Sequence, residues 1–219
     1  MTWRLACTLA LLPLAACTLP ARKPAAVPAT HASSAELAAA IAADASKSDH
    51  ESDPQLRADL AAAASRDADA CIAQAPREVG CLFGRGIALG LEARAHPARA
   101  SATLNDMLSS LAQAESVDAT YADAGPARVQ ALVWIRAPGW PLGPGDPERG
   151  LAAAKRAAAL RPQYPPNWLA LAEAQSKTGA TADARASYLR AREVAGALPD
   201  TPDRADWLQQ VQQGMSHLP

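Results

Sequence analysis

Pro165-Pro166-Asn167-Trp168-Leu169-Ala170-Leu171-Ala172-Glu173-Ala174-Gln175-Ser176-Lys177-Thr178-Gly179-Ala180-Thr181-Ala182-Asp183-Ala184-Arg185-Ala186-Ser187-Tyr188-Leu189-Arg190-Ala191 reads as two helices joined by a tight turn. The two prolines stand in a first turn, where the helix needs no amide donors. Trp168, Leu171 and Ala172 then recur at i, i+3 and i+4, which puts them on one helical face. Gly179 stops the first helix and Thr181 starts the second. On that second helix Ala184, Tyr188 and Ala191 alternate small, large and small along one face, the pattern that lets two helices seat closely. Trp134 lies 34 residues before Trp168 and the intervals after the two correspond, so the hairpin is a repeated unit.

This order of large and small residues resembles a tetratricopeptide (TPR) repeat, with the clearest units at about 131–164 and 165–198. Gln175 stands where the motif usually has an aromatic, and Gly196 where it usually has Pro. The earlier unit departs further, because Trp134 is followed by Pro138 and the loop Gly139-Trp140-Pro141-Leu142-Gly143-Pro144-Gly145 where a first helix would continue. Gly150, Ala154, Ala157 and Pro162 then recover the pattern. The resemblance implies an all-α fold of antiparallel helical hairpins stacked as a right-handed solenoid. Cys81 to Ser116 fits a further, degenerate hairpin. Residues 202–216, with Trp207 and Leu208 on one side and Gln209, Gln210, Gln212 and Gln213 on the other, fit a polar capping helix of the kind stacked repeats need at an open end.

Outward from this hairpin, the same punctuation divides residues 34–219 into about nine helices. They are expected at roughly 34–47, 54–75, 78–95, 98–117, 124–136, 147–160, 165–178, 181–195 and 202–215. Starts fall at Ser33 or Ser34, Asp53-Pro54, Gly125-Pro126 and Asp146-Pro147; stops fall at Pro76, Pro138 and Pro162. The composition is rich in Ala and poor in β-branched runs, and no strand is expected. With one Phe and three Tyr, the core must come from small aliphatic side chains, which requires close helix approach. Net charge is −1 and the basic residues form no dense run, so nucleic acid is not expected as a partner.

The chain opens with Arg4 and an apolar run, Leu5 to Ala16, too short for a permanent membrane span of roughly 20 residues. Leu14-Ala15-Ala16-Cys17 resembles the lipobox of bacterial lipoproteins, which implies a signal peptide over 1–16 and a lipid on Cys17. Thr18, rather than Asp, follows the cysteine, and the same resemblance then points to the periplasmic face of a Gram-negative outer membrane. Residues 17–33, with Pro20, Pro24 and Pro28 and no apolar periodicity, read as a linker between lipid and domain.

Cys71 and Cys81 flank Pro76, each about one turn from it on facing helices, and a disulfide is expected there. The alternatives are two free thiols or a metal pair, and the latter lacks partners because His50 and His96 share no ligand spacing with the cysteines. No nucleophile elbow, phosphate loop or metal motif occurs, and no cofactor is implied. Asp44/Asp49 and Asp67/Asp69 read as solvated faces. Gly84, Gly86 and Gly90 lie inside a helix, where Gly86 and Gly90 share a face and read as close helix approach.

What remains is a set of binding candidates. The loop 137–146 either presents Trp140 to a partner or folds it over the helix ends as a plug, the plug being the preferred reading. Arg128 either binds an anion or pairs with a carboxylate such as Asp123, the ion pair being preferred. Leu132, Ile135, Leu169, Glu173 and Lys177 are expected on the wall made by the first helices of the repeats, with Trp134 on the binding surface beside Trp140 and Arg128.

From Gly125 to Ala191 the order Gly-Pro-x-Arg, a short helix, Arg-Ala-Pro-Gly-Trp-Pro, Gly-Asp-Pro-Glu and a hairpin resembles the T-component lipoproteins associated with TRAP-type periplasmic transporters. That resemblance implies a lipid-anchored, all-helical protein working beside a soluble solute-binding protein. The expected function is a non-catalytic interaction module or scaffold in the envelope. A ligand-handling accessory of a transport system, with a pocket near Trp134, Trp140 and Arg128, and an outer-membrane assembly factor are the alternatives.

Overall fold

The computed structural model describes residues 32–218; the expected leader, Cys17 and all but the end of the expected linker lie outside them. Among the described residues there are nine α-helices and no strand. They are α1 (Ser34–His50), α2 (Pro54–Gln74), α3 (Val79–Ala95), α4 (Ala100–Val117), α5 (Tyr121–Arg136), α6 (Pro147–Leu160), α7 (Pro165–Lys177), α8 (Thr181–Gly196) and α9 (Pro202–Ser216), with a 3₁₀ turn over Pro97–Arg99.

The sequence marks the helix starts through their caps. Ser33 and Glu36 form a reciprocal capping box, the Ser33 amide donating to Glu36 Oε2 at 2.7 Å and the Glu36 amide to Ser33 Oγ at 3.2 Å. Asp53, Asp146 and Thr201 each accept an amide of the first turn and precede a Pro at the first helical position. Two boundaries differ from expectation by three residues, the rest by two at most. Helix α1 runs three residues past 47, ending beside its own Lys47 and His50, which suit the negative end of the helix dipole. The start of α5 is not right-handed: Ala122, Asp123 and Ala124 have φ of 48°, 56° and 59°.

Successive helices pair as antiparallel hairpins, and each odd-numbered helix also packs on the next odd one: α1 on α3, α3 on α5, α5 on α7, α7 on α9. The backbones of even-numbered helices approach only their sequence neighbours and the 3₁₀ turn, and α4 and α6 meet through side chains, Arg156 donating to Glu115 at 2.9 Å. The odd helices thus form one continuous inner row. The core is a chain of small clusters, most of them shared by three helices, such as Ile41, Ala61, Ala64, Ala88 and Leu91 across α1–α3 and Ala131, Ile135, Ala154, Ala158 and Leu171 across α5–α7.

Alanine and glycine bring the axes together. A Cβ on Gly86 would lie 2.8 Å from Leu111 Cδ2, and one on Gly90 3.0 Å from Met107 Cε, so both glycines face α4 as their shared spacing predicts. Cys71 and Cys81 are bonded, with Cα atoms 5.3 Å apart, and the bridge closes the α2–α3 turn against Leu37 of α1.

Candidate functional site

The inner row carries a groove in two parts. The first, of about 630 Å³, lies between α1, α3, α4 and α5 and is walled by Ile87, Leu91, Leu104, Met107, Val129, Leu132 and Val133. Its charged groups come from the last turns of α1, α3 and α5 and share one edge: Asp49 and Arg94, paired at 3.0 Å, and Arg136, within electrostatic reach of Asp49. The second, of about 570 Å³, follows α5, α7 and α9 and is lined by Ile135, Arg136, Glu173, Ser176, Lys177, Tyr188 and His217. Arg136 belongs to both. Its Nε and Nη2 donate to Glu173 Oε1 and Oε2 at 2.8 and 2.7 Å, a forked pair that raises the arginine's proton affinity still further and forms a bar between the two parts.

Four expected wall residues lie along this groove: Leu132 in the apolar part, Ile135, Glu173 and Lys177 in the polar part. Leu169 does not. It is 8% exposed and packs with Ala172, Tyr188, Ala191 and Val211, because the one-residue step from Trp168 rotates it toward α8 and α9. Trp134 also belongs to the core, seated among Ala131, Ala153 and Ala154 with the Arg149 guanidinium 4.5 Å over its ring.

Arg128 is corrected in its preferred role, the ion pair with a carboxylate. Its Nη1 donates to the Asp123 carbonyl at 2.9 Å and to Asn167 Oδ1 at 3.0 Å, and the guanidinium lies 4.9 Å over the Tyr164 ring. It pairs with main chain, not a carboxylate, and desolvation lowers its pKa against the pull of Tyr164 and Asp123. Asn167, fully buried, donates its amide to the carbonyls of Asp123, Ala157 and Arg161 at 3.0–3.1 Å. Together Arg128 and Asn167 collect the carbonyls that the left-handed turn 122–124 frees. This node ties α5, α6 and α7 and lines neither part of the groove. Sequence reasoning missed Asn167; the signal was a polar side chain inside a helix, immediately before a repeat-opening Trp.

The loop between α5 and α6 is pinned at its base. The Asp146 amide donates to the Trp134 carbonyl, the Gly145 amide to the Pro138 carbonyl, and the Leu142 and Gly143 amides both to the Gly139 carbonyl, at 2.9–3.2 Å. Trp140 is 90% exposed and Leu142 75%, so the plug reading is overturned. Three prolines and the internal bonds hold the loop outward, and the helix ends beneath it are already filled by Trp134 and Ile135.

Among the described residues, the one group of His, Cys, Asp and Glu close enough for a metal is Cys71, Glu78 and Cys81, and the disulfide occupies both sulfurs. No protein-family model matches the chain, and no curated protein compared with it is similar.

Proposed function

We propose that this protein is a non-catalytic scaffold of the cell envelope, a TPR-type lipoprotein held on the periplasmic face of the outer membrane through Cys17. Its inner groove receives an apolar segment of a partner protein. The observation that carries this reading is the 630 Å³ apolar channel along the inner helix row, with Asp49, Arg94 and Arg136 along one edge. Aliphatic walls with charge confined to one edge suit an amphipathic helix or extended peptide laid along the row. The resemblance of residues 125–191 to T-component lipoproteins makes a solute-binding protein the first partner to seek.

The test is capture from solubilised membranes with a photoreactive side chain at Val129, which lines the same channel as Leu132. A partner that crosslinks to the wild-type groove and is lost with Leu132→Glu supports the reading. Failure to crosslink, or capture indifferent to Leu132→Glu, refutes it.

One observation favours a second reading, a ligand-handling accessory. The channel volume lies within the usual 300–1,000 Å³ of small-ligand sites, and two cationic side chains, Arg94 and Arg136, stand along one edge of it. An aliphatic carboxylate fits that chemistry. Native mass spectrometry of protein taken from membranes would reveal a co-purified aliphatic acid; an empty protein that gains no thermal stability from one argues for the scaffold.

A further inference from the structure

We propose that the tip of the α5–α6 loop, Pro138 to Leu142, is a membrane wedge that rests in the headgroup layer of the bilayer to which Cys17 tethers the chain. The inference builds on the lipid-anchor reading above. Pro138, Gly139, Trp140, Pro141 and Leu142 are five consecutive exposed residues without a formal charge, and their one polar side-chain group is the indole N–H. Trp140 and Leu142 project 90% and 75% exposed. Indole is the side chain most at home at a membrane–water boundary, its ring in the acyl margin and its N–H toward water.

The backbone of the tip suits that layer as well. A peptide group entering a lipid environment is costly when its amide has no acceptor. Pro138, Pro141 and Pro144 have no amide hydrogen, and the amides of Leu142, Gly143 and Gly145 donate within the loop. The tip therefore brings few unmet donors, and its shape is fixed before contact. The nearest exposed charges, Arg136 before it and Glu148 and Arg149 after it, stand at the helix ends where headgroups would be.

Two protruding side chains are too few for a stable protein interface, which needs on the order of 800 Å² from each partner. They are enough for a second, shallow membrane contact once a tether supplies proximity. Sixteen residues, 18–33, separate Cys17 from α1, a covalent reach of at most roughly 55 Å. A domain so held meets the surface continually, and a fixed wedge selects one orientation, with the α5–α6 end toward the lipid.

The test uses the chain from residue 17 onward with Cys17→Ser and an amino-terminal hexahistidine, held on nickel-chelating phospholipid vesicles whose acyl chains carry bromine. Bromine quenches only tryptophans in contact with lipid. Of Trp134, Trp140, Trp168 and Trp207, Trp140 alone is fully exposed. The expected result is partial quenching with a blue shift, abolished by Trp140→Phe and weakened by Leu142→Ser, both at exposed positions that leave the fold intact. Unquenched wild type, or equal quenching of wild type and Trp140→Phe, overturns the wedge. Mass spectrometry of the Cys17 peptide from cells reads the anchor separately, so loss of the anchor and loss of the wedge are distinguishable. A protein crosslinked through Leu142, with no lipid quenching, would assign the loop to a protein contact and also overturn the proposal.

Discussion

Arg136 on α5 grips Glu173 on α7 through two parallel hydrogen bonds, 2.8 and 2.7 Å long, and so bars the inner groove between its apolar and polar parts. Both side chains keep substantial solvent contact, which limits the energy of the pair whatever its geometry. Exposed ion pairs contribute about 0.2–1 kcal/mol, and a forked arginine pair belongs at the upper end. A double-mutant cycle on Arg136→Gln and Glu173→Gln in urea is expected to give a coupling of about 0.5–1 kcal/mol that shrinks in high salt. A coupling above about 2 kcal/mol would mean the pair is structural and not a surface bar.

The Arg128–Asn167 node predicts two changes of opposite sign. Asn167→Ala removes the donor that the carbonyls of Asp123, Ala157 and Arg161 share, but each keeps a second one: Arg128 Nη1, the Arg161 amide and the Tyr164 amide. What is lost is the net contribution of the amide's own bonds, about 0.5–1.5 kcal/mol each, so the expected loss is about 1–3 kcal/mol in urea unfolding. Ala122→Gly should stabilise. Left-handed backbone costs a non-glycine residue about 1–2 kcal/mol, while glycine's extra freedom in the unfolded chain costs about 0.4–1 kcal/mol. The balance is a gain of roughly 0.5–1 kcal/mol at a position where φ is 48°.

Periodicity made the helices and the hairpin order legible, because Pro, Gly and cap residues mark almost every boundary and an Ala-rich chain has no competing strand signal. The disulfide was legible for a local reason: its cysteines lie in helices flanking one short turn. Side-chain destinations were harder. Leu169 was expected on the wall and Trp134 on the binding surface, yet one step of 100° around a helix moves a residue from groove to core, and sequence spacing alone does not fix that rotation. Arg128 was assigned to a carboxylate because three consecutive left-handed non-glycine residues carry no sequence signature. The groove itself is made mainly by Met107, Val129, Val133 and their neighbours, ordinary aliphatic residues whose shared face emerges only when α3, α4 and α5 meet.

The Cys71–Cys81 bridge closes a loop ten residues apart in sequence. On the chain-entropy model such a loop is worth about 2.7 kcal/mol at 25 °C. Replacing both cysteines by Ala should lower unfolding free energy by up to that amount, and dithiothreitol should do the same to the wild type. A paired variant as stable as the oxidised wild type would show that the α2–α3 turn is held by packing alone.

Acid stability should depend on Glu36 and Asp118. Glu36 is pulled below its ordinary 4.5 by the Ser33 amide and hydroxyl, and Asp118 below 3.8 by the Thr120 hydroxyl and amide. A carboxylate whose folded pKa is depressed favours the fold above its unfolded pKa, and loses that contribution as pH falls through the folded value. Stability is therefore expected to be flat with respect to these groups above about pH 5 and to decline below about pH 4. Asp118→Asn keeps the acceptor oxygen but removes the titration. It should make the urea midpoint less sensitive to acid, whereas an unchanged acid limb would assign the decline to other carboxylates.

Gly86 and Gly90 share the face of α3 that meets α4, yet their alanine variants should differ. Replacing a mid-helix glycine gains up to about 1 kcal/mol in propensity, against about 1–3 kcal/mol for overpacking a filled core. At Gly86 the new methyl would meet Leu111 Cδ2 at 2.8 Å and Cγ at 2.9 Å, the branch of a fully buried side chain with nowhere to move. At Gly90 it would meet Met107 Cε at 3.0 Å, the flexible end of a side chain that borders the open groove. Gly86→Ala is therefore expected to destabilise by about 1–2 kcal/mol, and Gly90→Ala to be neutral or to stabilise by up to about 1 kcal/mol. If thermal and urea unfolding showed Gly86→Ala to be the more stable of the two, the α3–α4 spacing would not be set by that contact.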